Sequence, residues 1–375
     1  MKKIIKNFTP LGGKHCITNA LKQIFYYHGH PLTEEMIFGL GSGLAFSYVN
    51  LAHSPMISGR TKPFEFEEKL AERLGITIKC AKPQKYETAF LKTKKMLDND
   101  CPVMLYADMC YLDYLGLDSN SHFGGHGIVL FGYDDEQQVF YVSDRDNHDF
   151  PIRTPLGEIA SDFHLVSYEK MGQARRSKFR PFPAKHKYLT GDFSNFQGIK
   201  PAAVQDAIIN TCESMLNPPA NLLGLNGILK FAKEVVKWNR FESDKLKITG
   251  ITNYFQISKD GGTGGGIFRK MYGEFLREAE QYLPTKQLED IGDGFMTLSQ
   301  QWDLLAEDMW QLGEQGNPNL LPAISKNIFN LYMQEKALLT RLLSAVKQIE
   351  CKGDKKNDLS RMLQCSSSNH PLAES

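Results

Sequence analysis

Cys16, His126 and Asp144 are the residues of this chain whose types and placement point most directly to chemistry. Cys16 stands in Gly12-Gly13-Lys14-His15-Cys16-Ile17-Thr18-Asn19-Ala20, where a glycine turn gives way to a helical pattern running to about Tyr27. His126 opens an apolar strand-like run, His126-Gly127-Ile128-Val129-Leu130-Phe131-Gly132-Tyr133, and Asp144 closes the next one, Val139-Phe140-Tyr141-Val142-Ser143-Asp144. A thiol attacks as its thiolate, and a free cysteine is mostly protonated at neutral pH. A helix N-terminus and an adjacent imidazolium both favour the anion. Cys16 has the first by position, and His126 can supply the second. An aspartate beside that histidine holds the ring and stabilises its protonated form. The set predicts acyl chemistry through a cysteine nucleophile.

A hairpin brings the third member to the second. With a three-residue turn within residues 134–138, Leu130 faces Phe140, Ile128 faces Val142 and His126 faces Asp144, all on one side by period-two alternation. A four-residue turn shifts the register by one and keeps Asp144 beside His126. Asp146, His148 and Asp149 are nearby substitutes for the orienting role. His15 either points away from Cys16 and packs or lines the site as a substrate-binding residue.

Two glycine segments are further candidates for substrate binding. Gly41, Ser42 and Gly43, in Gly39-Leu40-Gly41-Ser42-Gly43, allow close backbone approach to a substrate, or form a flexible connection after a helix around residues 34–38. Gly261-Gly262-Thr263-Gly264-Gly265-Gly266 precedes an amphipathic helix with Arg269 in its first turn. Gly264, Gly265 and Arg269 there would cradle a phosphate or carboxylate, or the loop simply starts the helix. No Gly-Lys-Ser/Thr ending follows, so nucleotide hydrolysis is not implied.

The elements that must position these residues read as helices first and strands late. Helical patterns cover residues 16–27, 65–74 and 88–98. Strand patterns cover 76–80 and 102–107 and the hairpin beginning at His126, which together suit an α+β fold. Residues 168–196, with the basic, proline-bearing Arg175-Arg176-Ser177-Lys178-Phe179-Arg180-Pro181-Phe182-Pro183, read as a crossing between domains. Beyond it the helical candidates are 201–215, 221–238, 266–282, 288–312 and 324–350. The expected division is therefore 1–167 catalytic, 168–196 linking, 197–350 helical and 351–375 a disordered tail. Trp302, Trp310, Phe275 and Tyr332 fall at helical spacing and read as core.

Composition narrows the function classes. At 375 residues two domains are the default, and 42% hydrophobic with 23% charged residues is ordinary for a globular chain. A formal net charge of +1 leaves no basic footprint for nucleic acid. The N-terminus has no apolar core behind its lysines, and no run of about 18 apolar residues occurs, so neither a signal peptide nor a membrane span is expected. We expect a cytoplasmic protein. The seven cysteines are scattered, with no CxxC pair and no zinc-type His/Cys spacing, so we expect free thiols and no metal.

His15-Cys16-Ile17-Thr18-Asn19-Ala20, then Tyr26-Tyr27-His28-Gly29-His30-Pro31-Leu32-Thr33-Glu34-Glu35 and Gly39-Leu40-Gly41-Ser42-Gly43-Leu44-Ala45-Phe46, resemble the N-terminal domain of the butirosin biosynthesis protein H family. Gly262-Thr263-Gly264-Gly265-Gly266-Ile267-Phe268-Arg269-Lys270-Met271-Tyr272 looks like the helical domain that accompanies it. The resemblance covers roughly residues 10–340. It implies a papain-like cysteine peptidase/acyltransferase fold with Cys16 as nucleophile and His126 and Asp144 as its partners. It also implies transfer of an aminoacyl group from the phosphopantetheine thioester of an acyl carrier protein to an amine-bearing small molecule in secondary metabolism. The cysteine segment resembles bacteriocin-processing cysteine peptidases as well. Those place a glutamine before the cysteine for the oxyanion hole, and Pro10 and Leu11 stand in that stretch here. The Cys16 N–H is then one expected oxyanion donor, and the second stays open.

The expected protein is a cysteine-dependent acyltransferase without cofactor or metal. Its partners would be a carrier-bound or small acyl thioester and an amine, not nucleic acid or a membrane. A peptidase or amidase using the same residues, and a binding protein on the same fold, are the alternatives. The oligomeric state, a homo-oligomer included, stays open.

Overall fold

The computed structural model describes residues 1–51 and 54–365. The strands are β1 (Lys2–Ile4), β2 (Leu44–Asn50), β3 (Pro55–Arg60), β4 (Thr77–Ala81), β5 (Val103–Ala107), β6 (His126–Asp134), β7 (Val139–Ser143), β8 (Ile152–Thr154), β9 (Gly157–Ile159), β10 (His164–Ser167) and β11 (Tyr188–Asp192). The helices are α1 (Cys16–Tyr27), α2 (Glu34–Leu40), α3 (Glu65–Leu74), α4 (Tyr86–Asp98), α5 (Tyr168–Arg176), α6 (Pro201–Leu216), α7 (Gly224–Val235), α8 (Ser243–Ile257), α9 (Arg269–Ala279), α10 (Gln287–Gln315) and α11 (Leu321–Cys365). The expected α+β class is what the chain adopts.

A seven-stranded sheet carries the order β10-β7-β6-β5-β11-β4, with β1 beside β6. β6 is buried along its whole length, which is why it reads as a continuous apolar run and not as an alternating one. Against it packs α1, whose buried face includes Ile17, Leu21, Ile24 and Phe25. The N-terminus of this helix therefore ends up over the first residue of β6, where His126 pairs with Ala107 of β5.

The segment read as a crossing between domains differs from expectation. It supplies α5 and then β11, which lies between β5 and β4 and pairs with both. The run Tyr188-Leu189-Thr190 looks too short and polar-flanked to mark a strand alone, but both of its neighbours offer ladder groups that need partners. In the other direction, the β2–β3 hairpin leaves the first half of the chain and joins the helices. Asn253 of α8 accepts from the Ile57 N–H (3.1 Å) and donates to the Pro55 carbonyl (3.0 Å), and Ser47 bridges to Leu223. One continuous apolar core runs through both halves.

α8 has no counterpart among the expected helices. Its buried face is Leu246, Thr249, Gly250, Asn253 and Ile257, correct in spacing but too small and polar to register as an apolar stripe. Gly250 packs directly on the backbone of Met309 and Gly313 in α10. At the other end α11 continues past residue 350, where the tail was expected, to Cys365. Residues 366–375 of that expected tail lie outside the described residues. No described helix is long and apolar enough to cross a membrane.

Candidate active site

Cys16 is the first residue of α1, and His15 is its N-cap, accepting the Thr18 N–H on Nδ1 at 3.4 Å. The turn before it is held by a buried carboxylate. Glu34, at the start of α2, accepts from the backbone N–H of Lys14 (2.7 Å), the N–H of His15 (3.1 Å) and the Thr18 hydroxyl (2.8 Å). Acid at a helix N-terminus satisfies donors that have no intrahelical partner. Gly13 permits this approach, since a Cβ there would stand 2.3 Å from Glu34 Oε2. Nothing in the spacing Lys14-to-Glu34 announces the contact, because it depends on how α2 turns back over α1.

His126 Nε2 lies 2.7 Å from Asp144 Oδ2, with both residues buried. The register that achieves this is not the expected one. Asp134 faces Val139 and Tyr133 faces Phe140, so Phe140 sits three residues further along β6 than expected, and an irregularity between Leu130 and Gly132 then moves Leu130 opposite Val142. A bulge inserts one residue in one strand only, and local turn arithmetic does not see it. Continued by one step, the ladder leaves Asp144 diagonal to His126 on the same face, still within side-chain reach. Asp144 also accepts from the Tyr114 hydroxyl (2.8 Å) and the Arg145 N–H (2.7 Å). Tyr114 stacks on His164 (3.7 Å between ring centres), whose Nε2 lies 2.8 Å from Asp146. Asp146, considered as a substitute for Asp144, is thus committed to His164. Tyr114 lies in the long β5–β6 connection, where sequence pattern offered no signal.

Electrostatics separate Cys16 from the other described cysteines. Burial by itself would raise its thiol, but interaction with His15 and His126 holds it well below the ordinary value. Burial raises Cys80 to about 11, Cys101 upward, and Cys212 to about 12. Burial together with the Asp108 carboxylate pushes Cys110 to about 12. For His126 burial works downward, and Asp144 and then Cys16 prevail to lift it to about 10. For Asp144 burial works upward, and His126, Tyr114 and the Arg145 N–H bring it down to about 2. With Nε2 on Asp144, the Nδ1 side of His126 is left for Cys16.

The remaining expected site residues fall in two groups. His15 is buried at the thiol, its ring edge-on to Phe268 at 5.1 Å. The loop 261–266 reaches the same neighbourhood: a Cβ on Gly264 would lie 3.6 Å from Lys14 Cβ, and one on Gly262 3.6 Å from the Arg145 guanidinium. Its Gly265 and Gly266 N–H groups, however, are bonded to Thr263 Oγ1 (3.1 Å) and Asp303 Oδ1 (2.8 Å). Arg269 does not face a phosphate. It is fully buried, paired with Glu335 through Nε (3.2 Å) and Nη2 (2.6 Å) and lying over the Trp302 ring. A guanidinium opening an amphipathic helix looks solvent-facing in sequence, and Glu335, 66 residues on, is what makes its burial tolerable. Gly41 and Gly43 abut the Phe66 and Phe38 rings, and the Ser42 hydroxyl donates to the Ala207 carbonyl at 3.3 Å, so this turn is closely packed.

Residues 15–145 match the family model for butirosin biosynthesis protein H, N-terminal, and residues 169–342 match a domain of unknown function, DUF4872. The two matched segments together cover most of the chain, and the N-terminal one is similar to that of butirosin biosynthesis protein H. The N-terminal match begins at His15 and ends at Arg145, so Cys16, His126 and Asp144 all lie within it. No curated protein matches the chain. The glycine loop and Arg269 belong to the second matched segment, which meets the first at His15 and Arg145, beside Lys14.

Proposed function

We propose that this protein, whose residues 15–145 match the butirosin biosynthesis protein H N-terminal model, is a cysteine-dependent acyltransferase built on a papain-like domain, with Cys16 as nucleophile, His126 as acid and base, and Asp144 as its orienting partner. The observation that carries the reading is one thiol held low at a helix N-terminus, beside a histidine whose far nitrogen is bound at 2.7 Å to a buried carboxylate. Thiolate and imidazolium form an ion pair from the lowered Cys16 value up to about pH 10, where His126 gives up its proton.

Cys16 Sγ attacks the carbonyl carbon of an acyl thioester, and the C–O π electrons move to oxygen. The Cys16 N–H at the start of α1 receives that oxyanion. His15 is the second donor: its Nδ1 accepts the Thr18 N–H, which leaves the proton on Nε2. Collapse breaks the C–S bond of the donor, and the His126 proton passes to the departing thiolate. An amine then attacks the acyl-Cys16 carbonyl, neutral His126 takes its proton, and the Cys16 thiolate leaves. The products are an amide and the free donor thiol.

A phosphopantetheine-linked donor on a carrier protein suits a family named for a biosynthetic pathway. An amine acceptor suits the groove lined by Glu35, Glu274 and Glu278 with Lys14 and Arg277, next to the start of α1. Burial, then Glu35 and Glu274, raise the Glu278 carboxyl, as expected where acids crowd without enough cations.

The test is intact-mass analysis after exposure to short acyl-pantetheine thioesters. We expect an acyl adduct that maps to Cys16, is absent in Cys16→Ala, and is discharged faster by polyamines than by water. An adduct discharged equally fast by water would convert the reading to hydrolysis by the same residues. No adduct with any thioester, together with slow alkylation of Cys16, would leave a binding protein.

A further inference from the structure

We propose that Asp108, Cys110 and His122 form a binding site for one divalent transition-metal ion of the zinc type, outside the Cys16 site and independent of the acyl-transfer reading. One donor atom from each of the three residues falls within 4.8 Å of the others. Cys110 Sγ lies 3.0 Å from His122 Nδ1, and that same nitrogen lies 3.0 Å from Asp108 Oδ2. A ring nitrogen holds a single proton, which can be aimed at the sulfur or at the carboxylate but not fully at both. A cation among the three lone pairs serves all of them at once.

The donor set and its surroundings fit such an ion. Thiolate, imidazole and carboxylate are the ligands that zinc takes, and three of them leave a fourth position for water. The two anionic ligands neutralise a divalent charge, which matters because Asp108 is fully buried. Outer hydrogen bonds orient the ligands, as metal sites require. Asp108 Oδ1 accepts the Phe123 N–H at 2.9 Å, Oδ2 accepts the Ser177 hydroxyl, and the His122 ring is stacked flat on Phe179 at 3.4 Å. Cys110 and His122 are only partly buried, so an ion has a path in. The ligands close the base of the β5–β6 connection. That connection carries Tyr114, which donates to Asp144, so the ion would fix a loop that braces the His126 partner.

Cobalt(II) provides the probe, titrated into protein carrying Cys16→Ser so that no signal arises from the low-lying thiol at the start of α1. We expect one equivalent to bind with a thiolate-to-cobalt charge-transfer band, displaced by zinc and lost when Cys110→Ser or His122→Ala is added. Absence of the band, or its persistence in either added variant, overturns the site. A second measurement needs no substitution within the cluster. One equivalent of zinc should slow maleimide modification of Cys110 in the wild-type protein at least tenfold while leaving Cys101 unaffected, followed by peptide mass. An unchanged Cys110 rate overturns the proposal whatever the variants do.

Discussion

Two clusters near the same end of the sheet contain a cysteine, a histidine and an aspartate, and they behave oppositely. In the first, Asp144 takes Nε2 of His126 and leaves the other nitrogen for Cys16 at a helix N-terminus, so the thiol is lowered. In the second, Asp108 and Cys110 both converge on Nδ1 of His122, and burial together with the carboxylate near the sulfur raises the thiol to about 12. Residue types alone do not distinguish a nucleophile from a ligand set. What distinguishes them is which nitrogen each partner occupies and whether the thiol's nearest charge is an imidazole or a carboxylate.

The comparison breaks first at Cys16. Cys16→Ala should abolish the acyl adduct and lower turnover by roughly 10⁴-fold or more, the loss expected when a covalent route disappears. Iodoacetamide should label Cys16 at pH 7 on the order of 10³-fold faster than Cys110, measured by peptide mass. As the pH falls through the lowered Cys16 value the thiolate is protonated and labelling slows, and above about pH 10 the partner imidazolium is lost. Comparable rates for the two thiols would erase the distinction.

His126→Ala should reduce turnover by about 10²–10⁴-fold and return Cys16 labelling to an ordinary thiol pH profile. His126 and Asp144 both contribute to stability, with opposite pH dependence. His126 is raised from 6.5 to about 10, so its contribution is complete below 6.5 and disappears as pH rises through about 10. Asp144 is lowered from 3.8 to about 2, so its contribution is complete above 3.8 and disappears as pH falls through about 2. Melting temperatures of wild type and Asp144→Asn should therefore converge towards pH 2. A gap that widens there would contradict the assignment.

Glu34→Gln should cost about 1–3 kcal/mol in denaturant unfolding, because three donors at the start of α1 lose a buried anionic acceptor. Tyr114→Phe should have the smallest effect, about 1 kcal/mol, read as a roughly fivefold fall in turnover with the acidic limb of the pH profile shifted upward. A Tyr114→Phe loss as large as that of His126→Ala would mean that the hydroxyl meets substrate directly.

Much of the site was legible because it depends on local patterns. A glycine pair before a helical period marks Cys16 as a first residue, and two apolar runs separated by a polar turn mark His126 and Asp144 as strand ends. The illegible parts all rest on contacts distant in sequence. Glu34 reaches Lys14 only because α2 folds back, Tyr114 reaches Asp144 from an irregular loop, and Arg269 is internal only because Glu335 is. The bulge between Leu130 and Gly132 was equally invisible, yet the diagonal reach of the side chains made the pairing survive the wrong register. The Asp108-Cys110-His122 group escaped notice because its spacing matches no familiar ligand pattern.

The place of β11 has a practical consequence for anyone cutting this gene. The boundary suggested by the two family matches falls between residues 145 and 169. A fragment stopping there would lack the strand that joins β4 to β5 and would expose an open seam in the middle of the sheet. The half that remains, lacking its own partner strand and the Thr249–Asn253 face that receives β3, would be prone to pair with itself or with other chains. The two matched segments share one sheet and one core, and should be expressed as one piece.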